Sequence, residues 1–309
     1  MVMSVYNGEP DVAVTIDSIL SQRDVNFEFI IVNDGSIDQT SKILEDYARR
    51  DNRVRIIDQE NAGLTRALIS ACRLARGEFI ARQDVGDVSL AGRLAHQLRV
   101  FNEHPSVVMT SCGTRMIGPN NELLHEVTQV GEQLHRGLQQ LDPDLVAGPS
   151  SHPSVMFRRE AYEKIGEYRA QFYVAQDLDL WMRLSEVGIC WATPAVLCER
   201  KLHKNSIEAK QRHRQIHLAK VIVECAAVRR SGRDDSALLA KWAERSGRNW
   251  YGSGWLRRRV HEAKFYYFIG SMLRDREPEK AQLYFWRAIM RWCPYPRAWY
   301  SLIRNSREK

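Results

Sequence analysis

The stretch F27-E-F-I-I-V-N-D-G-S36 decides how the first half of this chain is read. Phe27 to Val32 is a run of aromatic and β-branched residues and predicts a strand. The turn-forming Asn33-Asp34-Gly35-Ser36 closes it. Before it, Val12, Ile16, Ile19 and Leu20 recur at helical spacing up to Gln22. After it, residues 38–50 predict an amphipathic helix with Ile43, Leu44 and Tyr47 on one face. Further out, Val2 to Val5 predicts a short strand cut by Tyr6-Asn7-Gly8, and Val54–Ile57 a third strand. Ala62 to Ala75 predicts a helix, and Glu78–Ala81 a fourth strand running into Arg82-Gln83-Asp84. Strands alternating with helices at this spacing imply an α/β fold with a mostly parallel sheet. Ligands of such sheets sit beyond the carboxyl ends of the strands. Two acid-bearing turns, at Asp34 and at Asp84 to Asp87, fall there.

The middle of the chain is more mixed. Val107–Cys112 and Ser154–Phe157 predict strands, and Glu160–Ile165 and Asp177–Glu186 helices. Residues 131–150, with Pro143, Gly148 and Pro149, read as loop. From about residue 206 the chain is helical, basic and aromatic, and it holds six of the eight tryptophans. The expected division is therefore a catalytic domain over 1–205 and a basic, Trp-rich helical region over 206–309. The segment from Glu279 to Tyr300 faintly resembles a single helical-repeat unit of the tetratricopeptide type.

Composition narrows the function classes. At 309 residues and 44% apolar the chain can bury a large core. No apolar run approaches the roughly 20 residues that span a bilayer, and the start lacks a basic leader with a long apolar stretch. The chain opens close to the Tyr6-Asn7-Gly8 turn, so the first strand is expected to be short. The six cysteines form no C-x-x-C pair, which disfavours a zinc knuckle or redox dithiol and suits reduced thiols in the cytoplasm. The net charge of +7 is uneven: residues 200–309 hold 26 Lys/Arg against 10 Asp/Glu, so the rest is net acidic. A basic C-terminal third points to an anionic contact, and a phosphate-bearing lipid, a membrane surface and nucleic acid all fit that description. It lacks a nucleic-acid recognition motif.

Four motifs bear on chemistry. In E78-F-I-A-R-Q-D-V-G-D-V-S89, carboxylates at a strand end suit Mg2+ or Mn2+ held partly through a substrate diphosphate. The same residues could form a capped turn, with Asp87 or Ser89 at the next helix start. In I30-I-V-N-D-G-S36, Asp34 either accepts hydrogen bonds from a nucleobase edge or simply makes a tight turn. In A175-Q-D-L-D-L-W181, Asp177 is either a general base for an attacking hydroxyl or a favourable charge in a first helical turn. Trp181 reads as core before it reads as a sugar platform. The fourth motif, Lys201-Leu202-His203, has a single histidine.

Taken in order, these pieces resemble glycosyltransferase family 2, whose members share the GT-A fold. The resemblance covers roughly residues 1–205 and rests on V5-Y-N-G8, F27 to T40, E60-N-A-G-L-T-R66, G77 to S89, H152-P-S-V-M-F-R-R159, G166-E-Y168 and A175-Q-D-L-D-L-W181. It implies a Rossmann-like sheet with helices on both faces and inverting transfer from a nucleotide-diphosphate sugar to an acceptor hydroxyl. The acceptor would be a saccharide or lipid-linked saccharide, in surface polysaccharide or glycolipid synthesis. Tyr6, Asp34 and Arg66 would contact the nucleotide, and Asp84 and Asp87 the metal and diphosphate. His203 would lie beside them as a further ligand, and Asp177 would be the base. His152 and Trp181 would face the acceptor. The chain departs from the family pattern at Gly86, which stands where a metal-binding Asp often sits, and at Gln176, so that only Asp177 can be the base. The Q-x-x-R-W signature of processive members is absent, which implies a non-processive, bacterial-type member, cytoplasmic and peripheral to the membrane. A nucleotidyltransferase would carry a glycine-rich basic loop near its start, and Tyr6-Asn7-Gly8-Glu9 is not one. A catalytically weak binding homologue is the remaining alternative.

Overall fold

The computed structural model describes residues 1–202, 207–246 and 255–307. Contacts divide the chain into two units. The first comprises residues 1–115, 126–200 and 213–244, and the second residues 116–125, 201–212 and 245–309.

The first unit is built on a twisted sheet. Strands β1 (Val2–Val5), β2 (Phe29–Asp34), β3 (Val54–Gln59) and β4 (Phe79–Asp84) alternate with helices α1 (Val12–Leu20), α2 (Thr40–Arg50) and α3 (Leu64–Arg73). They pair in parallel as β3-β2-β1-β4. Beyond β4 the sheet turns antiparallel. The short β5 (Val88–Ser89) precedes α4 (Arg93–Glu103), β6 (Val107–Ile117) and β7 (Leu123–Val127). After α5 (Gln133–Leu138) come β8 (Val155–Arg158), α6 (Arg159–Lys164), α7 (Gln176–Leu184) and β9 (Ile189–Lys201). The full order is β3-β2-β1-β4-β8-β6-β9-β5, with β7 on β6. Helices α8 (Ile207–Arg230) and α9 (Ser236–Ser246) follow.

The apolar run of β2 is buried on both faces, as a parallel strand between helical layers must be. Side chains alternate between two cores with the strand period of two. Ile30, Val32, Ile80, Val155 and Phe157 meet Ala67, Leu68 and Ala71 of α3 and Ile222 of α8. Phe29, Ile31, Ala81 and Met156 meet Ile16 and Ile19 of α1, Leu44 of α2 and Phe101 of α4. Each buried side chain of this size contributes roughly 1.5–3 kcal/mol relative to exposure.

The strands reach further than their apolar runs suggest. β2 continues through Asn33 and Asp34, and β4 through Arg82, Gln83 and Asp84. Residues 131–150, expected as loop, contain the one-and-a-half turns of α5. In register, Ser4 lies beside both Val32 and Asp84, and Asp34 beside Gln59. The carboxyl ends of β1, β2 and β4 therefore share one rim.

The second unit is helical, with α10 (Trp255–Leu273), α11 (Pro278–Arg291) and α12 (Pro296–Arg307). Ala281, Phe285 and Ala288 of α11 are buried, and a Cβ added at Gly270 of α10 would lie 2.8 Å from the Phe285 ring. Tyr284 donates to Glu122 Oε1 at 2.6 Å. Among the described residues no helix is long and apolar enough to cross a membrane.

Candidate active site

The rim gathers part of the expected set tightly. β4 carries Arg82 into the interior, where its side chain is fully buried, and delivers Asp84 just beyond it. Arg82 Nε and Nη2 both donate to Asp84 Oδ1, at 3.1 and 2.8 Å. His152 enters from the loop before β8, and Asp177 from the first turn of α7. His152 Nε2 lies 2.8 Å from Asp177 Oδ2 and 3.1 Å from Arg82 Nη1, while Nδ1 lies 3.8 Å from Asp84 Oδ2. Asp84, His152 and Asp177, far apart in sequence, thus surround one guanidinium. Their side chains keep 31%, 15% and 25% of their exposure, so the group is open on one side.

Electrostatics follow from this packing. Burial opposes ionisation of Asp177, but the His152 ring, Arg82 and the Leu178 N–H outweigh it and hold the carboxyl at about 2. Burial likewise pushes Asp84 up, and Arg82, His152 and Arg200 of β9 together bring it below its ordinary value. Burial disfavours the charge of Arg82, and Asp84, with lesser help from Tyr168 and Asp177, more than restores it. The backbone just before α7 is forced: Ala175 has φ +60°, a left-handed conformation costly for a residue with a Cβ. It turns the chain so that the first helical turn presents Asp177 to His152.

The acidic turn after β4 is fixed from behind. Gly86 has φ +91°, which a side chain would strain. Its N–H donates to Thr15 Oγ1 at 2.9 Å, and the same hydroxyl donates to the Asp87 carbonyl at 3.1 Å. Gln83 Nε2 donates to that carbonyl at 2.8 Å. Asp87 is 6% exposed, against the partly open Asp84.

Asp34 stands in a different environment on the same rim. Gln59 Nε2 and the Ala62 N–H donate to its Oδ1 at 2.7 and 2.9 Å, and the Gly63 N–H donates to Oδ2 at 2.9 Å. The carboxylate therefore fixes the loop into α3, which carries Arg66. A shallow groove of about 500 Å³, lined by Gln59, Ala62, Arg66 and Arg73 among others, opens there and contains none of the four expected acids. Tyr6 is half-exposed after β1, and the neighbouring Asn7 ties that turn to the loop after β2 by accepting from the Ile37 N–H at 2.9 Å.

One expectation needs correction. Trp181 cannot offer a sugar platform, because it is only 7% exposed and packs edge-to-face on His152 at 5.4 Å with Gly148 against its ring. Asp87 lies deeper in the rim than Asp84, at 6% exposure against 31% for the Asp84 side chain. His203 lies outside the described residues.

Sequence reading missed Arg82, Arg93 and Arg200. Arg93 is fully buried and donates to Gln83 Oε1, Ser89 Oγ and the Arg82 carbonyl at 3.0, 2.7 and 2.9 Å. For Arg82 the available signal was an arginine directly after the apolar run of β4, since such a residue is almost never fully buried unless paired.

The donor set for a divalent cation can be tested against this geometry. Among the described residues no three His, Cys, Asp or Glu side chains are gathered as ligands. Asp84 Oδ1 already accepts twice from Arg82, which leaves Oδ2 as its free donor. Mg2+ is often held by one or two carboxylates and completed by substrate phosphates, so a single carboxylate fits a cation that arrives with a diphosphate.

Comparison with known proteins shows the family and the fold. Residues 1–166 match the family described as glycosyl transferase family 2. The chain is 30% identical over 194 residues to the putative glycosyltransferase EpsE of Bacillus subtilis, covering 61% of this chain and 66% of that protein, just under two thirds of its length. It is 32% identical over 185 residues to the O-antigen biosynthesis glycosyltransferase WbnJ of Escherichia coli, covering 60% and 70%. Among solved structures, S. aureus TarS in complex with UDP is similar at a TM-score of 0.56 and 16% identity, covering 99% of this chain and 88% of that one. The mannosyltransferase PcManGT from Pyrobaculum calidifontis, in complex with GDP-Man and Mn2+, is similar at 0.56 and 18%, covering 100% and 86%. The sheet and its two helical layers are a GT-A fold.

Proposed function

This chain belongs to glycosyl transferase family 2, and from that premise we propose that it moves a sugar from a nucleotide-diphosphate donor to an acceptor hydroxyl with inversion. The observation that carries the reading is the convergence of Asp84, His152 and Asp177 around the buried Arg82. The donor's nucleotide would lie along the Tyr6, Asp34 and Arg66 side of the rim, and its diphosphate near Asp84 and Arg200.

The acceptor oxygen attacks the anomeric carbon from the face opposite the diphosphate. The bond from that carbon to the diphosphate oxygen breaks, and its electron pair leaves with the diphosphate. Asp177 takes the acceptor proton. His152 holds Asp177 Oδ2, and the Leu178 N–H holds Oδ1, so the carboxylate is fixed before the acceptor arrives. A low carboxyl pKa does not prevent this role when proton loss accompanies bond formation. A Mg2+ or Mn2+ ion, where bound, would be held by Asp84 Oδ2 and would neutralise charge on the departing diphosphate. Arg82 keeps Asp84 ionised and in place.

A saccharide or lipid-linked saccharide is the acceptor class we favour, in surface polysaccharide or glycolipid synthesis, as the name of the E. coli relative suggests. Five free and buried cysteines suit a reducing, cytoplasmic setting.

Asp177→Asn tests the base. Turnover should fall by about 10² to 10⁴, the usual worth of a positioned base. Donor binding, read as a thermal shift with the nucleotide-sugar, should persist. Near-normal turnover would remove Asp177 from this role. One observation, Gly86 in place of a carboxylate, favours a weak or non-catalytic binder. Slow donor hydrolysis without acceptor, lost in Asp177→Asn, would exclude that reading.

A further inference from the structure

We infer that the α11–α12 hairpin is a docking face for an anionic lipid bilayer. Helix α11 is apolar on two opposite faces. Ala281, Tyr284, Phe285, Ala288 and Ile289 are buried. On the other side Leu283, Trp286 and Met290, at helical spacing, are 61%, 48% and 73% exposed. Helix α12 adds Trp299, Tyr300 and Ile303, exposed at 36%, 68% and 51%. The Trp286 and Trp299 rings meet edge-to-face at 5.9 Å, which joins the two rows into one surface. A helix apolar all round is normally buried, and large exposed apolar patches mark contact sites.

Charge selects the occupant. From Lys280 to Arg307 the sequence holds six Lys/Arg and no Asp/Glu. Arg287 and Arg297 flank the apolar rows and are exposed. A second copy placed on this face would set like charges against like, which is destabilising. An anionic bilayer matches both features, because Trp and Tyr favour the headgroup level and basic residues are drawn to acidic lipid. The inference rests on this hairpin and does not depend on the transfer chemistry.

The test is co-sedimentation of the full chain, without donor, on vesicles of phosphatidylcholine alone or with about 30% phosphatidylglycerol. The expected result is binding to the acidic vesicles at low salt, at least about tenfold tighter than to neutral ones, and weakened by high salt. The double variant Met290→Glu, Ile303→Glu should lose about tenfold or more, with unchanged circular dichroism and melting temperature because both sites are exposed. Arg287→Gln with Arg297→Gln should reduce the acidic preference by roughly tenfold or more, at about fivefold per charge. Equal binding by wild type and Met290→Glu, Ile303→Glu would overturn the inference. So would no binding to acidic vesicles. An oligomer that those two substitutions dissociate would assign the face to a second copy instead and overturn it. Donor hydrolysis measured without vesicles reports on the transfer reading separately, so the two can fail independently.

Discussion

Asp34 and Asp177 are both acids at the carboxyl rim of one sheet, yet they are held in opposite ways. Asp34 receives neutral donors: two backbone N–H groups and the Gln59 amide. Asp177 is held by the His152 ring and by the field of Arg82. The first arrangement shapes a loop and needs no charge partner. The second keeps a carboxylate ionised beside other charged side chains, which is what a reacting centre requires. The family resemblance implies different roles for them, nucleotide contact and base, and the two sets of partners differ in the same sense.

The comparison can be broken most forcefully at Arg82. Arg82→Met should cost about 3–5 kcal/mol of stability, since removing one member of a buried ion pair leaves the others uncompensated. Chemical denaturation measures it, and a loss below about 1 kcal/mol would mean that water replaces the guanidinium without penalty. Asp34→Ala comes next. Three hydrogen bonds to a charged acceptor are lost, and the donors at Ala62 and Gly63 are left without it, so a cost of about 2–3 kcal/mol is expected. Donor KM should rise more than kcat falls, because the loop leading to Arg66 loosens. An equal fall in kcat with unchanged KM would tie Asp34 to the chemistry.

The smallest effect concerns pH. The folded value of Asp177, about 2, lies below its ordinary value of 3.8, so folding favours the ionised form. Its contribution is complete above the unfolded value and is lost as pH falls through the folded one. The shift corresponds to about 2 kcal/mol. The stability gap between wild type and Asp177→Asn should therefore shrink between about pH 4 and pH 2. An unchanged gap across that window would show that His152 and Arg82 do not favour the charged form.

Much of the parallel half was legible. The apolar runs of β2 and β4 sit between two cores, so nothing polar interrupts their pattern until Asn33 and Arg82. The acids at the strand ends were visible for the same reason. The rest was hidden by polar residues doing buried work. Helix α4 buries Arg93 and Gln97 beside Leu94 and Phe101, which blurs its apolar period. β9 contains Pro194 and ends in Glu199, Arg200 and Lys201, with several positions half-exposed, so it lacks clean alternation. The partners of His152 are not visible in its own motif because they stand at positions 82 and 177. Arg82 falls outside the strand that the apolar pattern predicts, which ends at Ala81, whereas the strand runs to Asp84.

The Thr15 hydroxyl has a consequence for ligand affinity. It accepts from Gly86 and donates to Asp87, so one side chain of α1 holds the turn between Asp84 and Asp87 from behind. The bend is rigid in the resting protein. In the proposed reading a diphosphate arriving there would not have to freeze a wandering loop, and less of its intrinsic attraction would be consumed in imposing order. Shortening that one hydroxyl-bearing side chain would turn a ready-made cradle into one that each incoming donor has to assemble.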